Sequence, residues 1–333
     1  MKEYLLPPTG QFYKANLHCH TTVSDGRLTP AEVKELYRSL GYSIVAYTDH
    51  QILIPHPELA DETFLPLYGY EDDVTEAAAW PRAKTCHLCF IARDPENWIQ
   101  PCFDPAHVRC GHAPEHLAQA RYDTTKPVYE RRYTAEGVND LIRQGVAGGY
   151  FVTYNHPTWS LEEYPQYMAY EGMHAMEIVN GSCEVGGYLD YNPRVYDDML
   201  RGGKRLFAVA ADDNHNVHPA DSRYSDSGVG FVMIKAERLE YRVVMDALFR
   251  GDFYASEGPE IHALWKEDGR VHIECGPADR VILTTGTRDS HIVLAEGAPL
   301  TAAEFAIPAN CGYFRLTVVD ERGRHADTQA YFV

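Results

Sequence analysis

The sequence has no run approaching the ~20 consecutive apolar residues of a membrane-spanning helix. Its first residues, Met1 to Gly10, lack a basic start followed by an apolar stretch, so no secretion signal is expected. Repeats and low-complexity tracts are absent. Positive charge is scarce, with 30 Lys and Arg against 48 Asp and Glu and a net charge of -18. Clustered cations able to hold a phosphate backbone are missing, so nucleic acid is not an expected partner. A small phosphorylated substrate stays open, because bound divalent cations reverse the local sign. The eight cysteines are scattered over 333 residues rather than dense in a short chain. That usage reads as reduced thiols in a cytoplasmic protein. No serine nucleophile elbow or Ser-His-Asp arrangement is evident.

What the chain does have is a dense polar constellation near its start. His18-x-His20 places two imidazoles two residues apart, on one face if the segment is a strand. Asp25 follows five residues later, and Thr48-Asp49-His50 closes the next apolar segment. Two such histidines alone fit an ordinary strand with two polar residues equally well. Asp25 and His50 at successive strand ends turn the balance toward a metal site.

Residues 12–20 read as a strand, and Pro30 to Leu40 as a helix capped by Thr29, with Val33, Leu36, Tyr37 and Leu40 on one face. Residues 42–48 read as a buried strand. Strand, helix and strand with polar C-terminal ends is the unit of a parallel sheet or barrel. Further strands are expected at 64–70, 87–92, 150–155, 175–180 and 206–211, with helices at 135–144 and 194–200. Near Gly258-Pro259 the helical periodicity stops. Short alternating segments at 271–274, 280–283, 291–294, 313–319 and 328–333 then suggest a small β-sandwich-like appendage. Residues 94–132 form a long irregular insertion, of the kind that serves as a lid or substrate wall. The length fits one large α/β barrel plus that appendage better than three small domains. The division is 1–258 and 259–333.

The candidate ligands, in chain order, are His18, His20, Asp25, His50, Glu71, His87, His156, Asp213 and His215. Nine N/O donors are too many for one tetrahedral zinc and suit two or three ions. The other histidines, His107 among them, read as ordinary surface or core residues.

On these motifs (His18-x-His20, Ser24-Asp25-Gly26, Thr48-Asp49-His50, Gly69-Tyr70-Glu71, His87, His156-Pro157 and Asp213-x-His215) the chain resembles the PHP family, named for polymerases and histidinol phosphatase. The resemblance covers about residues 12–220. It implies a distorted (β/α)7 TIM-like barrel. Within the family the chain is similar to the branch of carbaryl-type carbamate hydrolases, on His156-Pro157-x-Trp159-Ser160, Met176 to Gly181 and Phe253 to Pro259. By that resemblance His18, His20, Glu71 and Asp213 would hold a first ion, Glu71 with His87 and His156 a second, and Asp25, His50 and His215 a third. Cys86 and Cys89 compete with His87 for its place. Glu177 reads either as a support for the ligands or as a capped strand end.

The implied activity is that of a metal-dependent hydrolase with two or three divalent ions (zinc, manganese or iron) generating hydroxide at neutral pH. A phosphoesterase on a small phosphate mono- or diester is the first reading. A carboxyl- or carbamate-ester hydrolase is the alternative, and a non-catalytic metal-binding barrel the third. Asp213 and His215 are the candidates for moving protons. Arg82, Arg131 and Arg223 are candidates for meeting substrate oxygens, against the plainer reading of surface residues. The expected partner is a small molecule, with no membrane and with homo-oligomerisation left open.

Overall fold

A computed structural model describes all 333 residues. Ten strands precede Gly258: β1 (Glu3–Tyr4), β2 (Gln11–Asn16), β3 (Ile44–Tyr47), β4 (Leu65–Thr75), β5 (Thr85–Ala92), β6 (Tyr150–Tyr154), β7 (Ala175–Asn180), β8 (Phe207–Ala211), β9 (Phe231–Ala236) and β10 (Phe253–Ser256). Among them lie helices α1 (Pro30–Ser39), α2 (Ala135–Ala147), α3 (Tyr164–Ala169), α4 (Gly181–Val185), α5 (Pro193–Arg201) and α6 (Tyr241–Arg250). The first helix forms as its sequence dictates. Thr29 and Glu32 make a reciprocal capping box, Pro30 opens the first turn, and Val33 and Tyr37 are buried.

The fold is mixed α/β, built on one large mixed sheet. Strands β2, β3 and β4 pair in parallel, as do β6, β7 and β8. Between the two groups β5 runs antiparallel to both neighbours. On the other side β9 and β10 continue the sheet antiparallel from β2. The expected (β/α)7 barrel is therefore not what the pairing shows. Residues 76–84 connect β4 to β5, and so short a link cannot make a parallel crossover, which takes roughly a dozen residues or more. The sheet is also not closed by strand pairing. At its free edge the Gln329 amide accepts from Ala208 N (2.8 Å) and donates to Ala208 O (3.1 Å) and Phe253 O (3.2 Å), joining β8 to β10 through one side chain. Gly230 lies so close to β8 that a β-carbon there would stand 2.8 Å from Ala211 O.

After Gly258 come β11 (Ile261–Glu267), β12 (Arg270–Ala278), β13 (Arg280–Thr285), β14 (His291–Leu294), β15 (Leu300–Ala306), β16 (Tyr313–Val319), β17 (His325–Asp327) and β18 (Tyr331–Phe332). Strands β11, β12 and β15 form a second sheet with β1, whereas β13, β14, β16, β17 and β18 prolong the first. Ile261, Leu264 and Ile273 from one sheet and Val281, Leu316 and Val318 from the other share an apolar core. Buried Arg315 of β16 is held by Asp197 of α5 (2.9 and 3.0 Å) and by Asp327 of β17 (2.9 Å). The eight cysteines are all unpaired. No helix is long and apolar enough to cross a membrane.

Candidate metal centre

Six of the nine candidate residues lie just past strands, Glu71 and His87 lie within β4 and β5, Asp25 lies in the loop after β2, and they meet at one place. His18 and His20 lie just past β2, which ends at Asn16. The pair is thus carried by extended chain beyond the strand rather than on it. That chain is held by a bridge from Cys19 to Asn214 and by Asp213 N donating to His18 O (2.9 Å). His50 follows β3 and bridges Glu71 of β4, and His87 sits early in β5. His156 follows β6, and Asp213 and His215 follow β8. His156 and Asp213 both have positive φ (25° and 53°), a costly backbone state for non-glycine residues that recurs at functional sites.

Three interlocking groups, each close enough to share an ion, lie here: His20, Asp25, His50 and His215; His18, His20, Glu71 and Asp213; and His50, Glu71 and His87. Each pair of groups shares one residue, namely His20, His50 or Glu71. His156 joins through Glu71 Oε1, 3.2 Å from its Nε2. Neither Cys86 nor Cys89 belongs to a group, although Cys89 is opposite Glu71 in the β4–β5 ladder. The Nε2 atoms of His18 and His20 are 3.1 Å apart, and both face Asp213 Oδ1 (3.1 and 2.9 Å).

The donor set fits divalent cations. Glu71 is fully buried, and its Oε2 lacks a hydrogen bond of good geometry although His50 Nδ1 is 2.9 Å away. His20 Nδ1 is buried without a partner as well. Buried polar atoms are left unsatisfied only rarely, and an ion is one recognised explanation. Charge points the same way. Burial disfavours ionised carboxylates, yet His18 and its neighbouring imidazoles hold Glu71 and Asp213 well below the usual range. Burial likewise disfavours charged imidazoles, but Glu71 raises His50 to about 9, and Glu71 and Asp213 raise His156 to about 9. Burial, then His50 and His215, lower His20 to about 4. The carboxylates thus draw positive charge to His18, His50 and His156, a charge that bound divalent ions would supply in place of protons.

Around this centre lies a shell of buried hydrogen bonds. Glu177 Oε1 is 2.7 Å from His18 Nδ1, and its Oε2 accepts from His156 N (2.9 Å) and Asn180 Nδ2 (2.8 Å). Three residues that the sequence did not mark also belong here. Asn155 donates to Glu71 Oε1 (2.9 Å). Asp49 accepts from Thr21 N, Thr21 Oγ1, Ser24 N and Ser24 Oγ, fixing the loop that carries Asp25. Tyr37 of α1 donates within reach of Asp212 Oδ2 (2.8 Å) and Asn214 Oδ1 (2.7 Å), on either side of Asp213. Asp49 was visible beside His50, but only the fold reveals what it holds.

The candidate cations lie elsewhere. Arg131 forms a forked pair with Asp72 (3.2 and 2.6 Å) and donates to Cys102 O (2.9 Å). Arg82 and Arg223 are exposed and unpaired. His107 stands 3.1 Å from both Asp72 and Asp73. Asp72, Asp73 and His107 are a fourth group close enough to share an ion, and His107 and Arg131 compensate its carboxylates.

The insertion reaches the centre by an unexpected route. Because β5 is antiparallel, residues 94–132 leave from the end of β5 remote from His87 and return over the surface. The part that arrives is 107–112. Arg109 N and Cys110 N donate to Gln51 Oε1 (2.8 and 3.1 Å), Cys110 Sγ is 3.4 Å from Asp25 Oδ2, and His112 N donates to Ser24 O (2.7 Å). Most of the insertion's aromatic and cationic side chains pair among themselves or with α2. Arg121 covers Trp98, Phe103 stacks on Tyr122, and Tyr129 donates to Asp140. The wall nearest the imidazoles is instead Trp159, whose ring centroid is 5.0 Å from His156 and 5.2 Å from His87.

No family model matches the chain, and no curated protein matches it in sequence. Solved structures do resemble it. A two-domain protein from Bacteroides vulgatus, containing a predicted PHP-like metal-dependent phosphoesterase, is 15% identical, with 99% of this chain and 98% of that one covered at a TM-score of 0.44. A metal-dependent phosphoesterase candidate from Bifidobacterium adolescentis is 19% identical over 63% of this chain and 89% of its own, with a TM-score of 0.41. An amidohydrolase from Chromobacterium violaceum, with sulfate and no metal, is 21% identical over 60% and 87%, with a TM-score of 0.40. None of the three is described as a carbamate hydrolase.

Proposed function

We propose that this chain is a metal-dependent hydrolase acting on a small phosphate mono- or diester. The observation that carries the proposal is the convergence of His and carboxylate donors into three groups linked by His20, His50 and Glu71. Adjoining ion sites that share a carboxylate suit a phosphoryl group, whose several oxygens need several charges nearby. Bound divalent ions would supply an activated water and polarise the scissile bond.

The chain's own groups supply the rest. Glu71 Oε1 faces His18, His87 and His156, while Oε2 faces His50, which suits the carboxylate for bridging two ions. Asp213 Oδ2 is steadied by Asn180 Nδ2 (3.1 Å). His215 Nδ1 lies 3.0 Å from the Asp213 carbonyl, which orients Nε2 toward Asp25 (3.5 Å). We assign proton movement to these two side chains, Asp213 and His215. Residues 1–258 would form the catalytic unit and 259–333 a packing unit. Cytoplasmic location belongs to the same reading.

A carboxyl- or carbamate-ester hydrolase is the second reading. It is favoured by the engagement of Arg131 with Asp72 and by the aromatic wall of Trp159, which together leave little fixed positive charge for a phosphate. Metal analysis followed by turnover of 4-nitrophenyl phosphate, bis(4-nitrophenyl) phosphate and an aryl carbamate tests both. Two or three divalent ions per chain and phosphoester turnover are expected. Carbamate turnover alone would favour the second reading, and less than one ion per chain after metal supplementation would reject both.

A further inference from the structure

Two of the four tryptophans in the chain stand together at the edge of the centre. Trp159 follows His156 by three residues, and its backbone N donates to buried Asp190 Oδ2 (3.1 Å), which anchors it. Its ring meets those of His156 and His87 edge to face, at interplanar angles of 82° and 67°. Trp80 lies in the 76–84 link between β4 and β5, with its ring centroid 6.1 Å from that of Trp159 and inclined at 48°. Trp80 is 72% exposed. A large indole left in water contributes little to folding, and this one stands next to Trp159, the residue that meets the centre's imidazoles. Lys84 of that link is 2.6 Å from Glu163 and is already compensated. The other cation of the link, Arg82, is exposed and unpaired, so on this side of the centre the fixed recognition surface is aromatic.

We infer that Trp80 and Trp159 form a platform on which a planar aromatic group of the substrate stacks, beside His87 and His156. The inference rests on the reading of the centre as a substrate-binding metal site. It specifies the substrate class as an ester bearing an aryl ring or a nucleobase. Stacking of a base on an aromatic side chain contributes ~1–3 kcal/mol, which corresponds to roughly 5- to 150-fold in affinity. The inclination of the two rings favours a single group lying on one face and touching the edge of the other.

Binding of phenylphosphonate, AMP and methylphosphonate to the Mn²⁺-loaded protein, followed by calorimetry, tests this without requiring turnover. The parent protein should bind phenylphosphonate or AMP about tenfold more tightly than methylphosphonate. The tighter of the two aromatic probes distinguishes a simple aryl group from a nucleobase. Trp80→Ala, at an exposed position, should reduce that ratio severalfold without changing metal content. Trp159→Ala should abolish it, and Trp159→Phe should restore part of it. Equal affinity for aromatic and methyl probes in the parent protein, no binding of any probe, or an unchanged ratio in both alanine variants overturns the platform. An aromatic preference that is lost in the variants, in a protein that hydrolyses no ester, would uphold the platform and reject the hydrolase.

Discussion

Glu177 Oε1 lies 2.7 Å from His18 Nδ1, and both side chains are almost wholly buried. With Nδ1 engaged, Nε2 of His18 is the nitrogen left facing Glu71 (3.3 Å) and Asp213 (3.1 Å). Carboxylate partners of this kind fix the tautomer of a ligating imidazole and raise its basicity. Glu177→Gln would present an N–H₂ where three donors now converge. It should weaken ion binding by roughly 10- to 100-fold, read by competition with a fluorescent chelator. Unchanged affinity would return Glu177 to the role of a strand-end cap.

Removal of the ions should abolish hydrolysis reversibly. Chelation followed by Zn²⁺, Mn²⁺ or Fe²⁺ addition should restore turnover and raise the melting temperature, since a ligand at about 100 times its Kd stabilises by about 2.7 kcal/mol. Asp213→Asn and His20→Ala should lower kcat by about a hundredfold or more while circular dichroism shows the fold retained. Full activity in a metal-free variant would locate the chemistry elsewhere.

Tyr37 holds Asp212 and Asn214 from inside the core. Tyr37→Phe removes the hydroxyl and should cost about 1–3 kcal/mol in urea unfolding, because its single proton is lost to Asp212 and Asn214 and Asn16 Nδ2 loses an acceptor. Since those acceptors flank Asp213, kcat should fall as well. A variant of parental stability would mean that water replaces the hydroxyl.

His107 carries the pH dependence of the insertion. Burial lowers its affinity for a proton, but Asp72 and Asp73 overcome this and leave its pKa at about 9. A pKa raised above the unfolded value of about 6.5 gives stability that is complete below that value. It is lost as pH rises through about 9. Its upper limit, at 1.36 kcal/mol per unit, is about 3 kcal/mol. Limited proteolysis within 94–132 should therefore quicken between pH 7 and pH 10 in the parent protein. His107→Gln should flatten that dependence, and a parallel rise in the variant would show that another group controls it.

Arg315 joins Asp197 of α5 to Asp327 of β17 in a buried ion network. Removing one partner of such a pair leaves uncompensated buried charge and costs about 3–5 kcal/mol. Arg315→Met should show that loss in urea unfolding. A loss below about 1 kcal/mol would mean that water reaches the two carboxylates and compensates them.

Much was legible in the sequence because it is local. The Thr29 cap and the stripe through Val33 and Tyr37 lie within one helix, and α1 spans Pro30 to Ser39 much as that pattern predicts. Strands β7, β14 and β16 coincide with the segments expected for them, and β14 and β16 are marked by β-branched or aromatic residues. The reversal of β5 was not legible, because strands read at 64–70 and 87–92 leave a connection long enough for a crossover, whereas β4 runs on to Thr75 and β5 begins at Thr85.

The candidate donors were likewise named by residue type and by their position at strand ends, but sequence alone could not say which of them share a point in space. Tertiary structure decided that His20, His50 and Glu71 each belong to two groups. It decided too that Arg131 answers Asp72, and that the insertion approaches through residues 107–112 rather than through its aromatic side chains. Edge-on contact of Trp159 with two imidazoles and the span from Gln329 to both Ala208 and Phe253 were equally beyond the sequence. Periodicity and capping are set by neighbours three or four positions away, and the chain states them directly. Pairings between residues as far apart as Tyr37 and Asn214 depend on strand order and packing, which emerge only when the whole core closes.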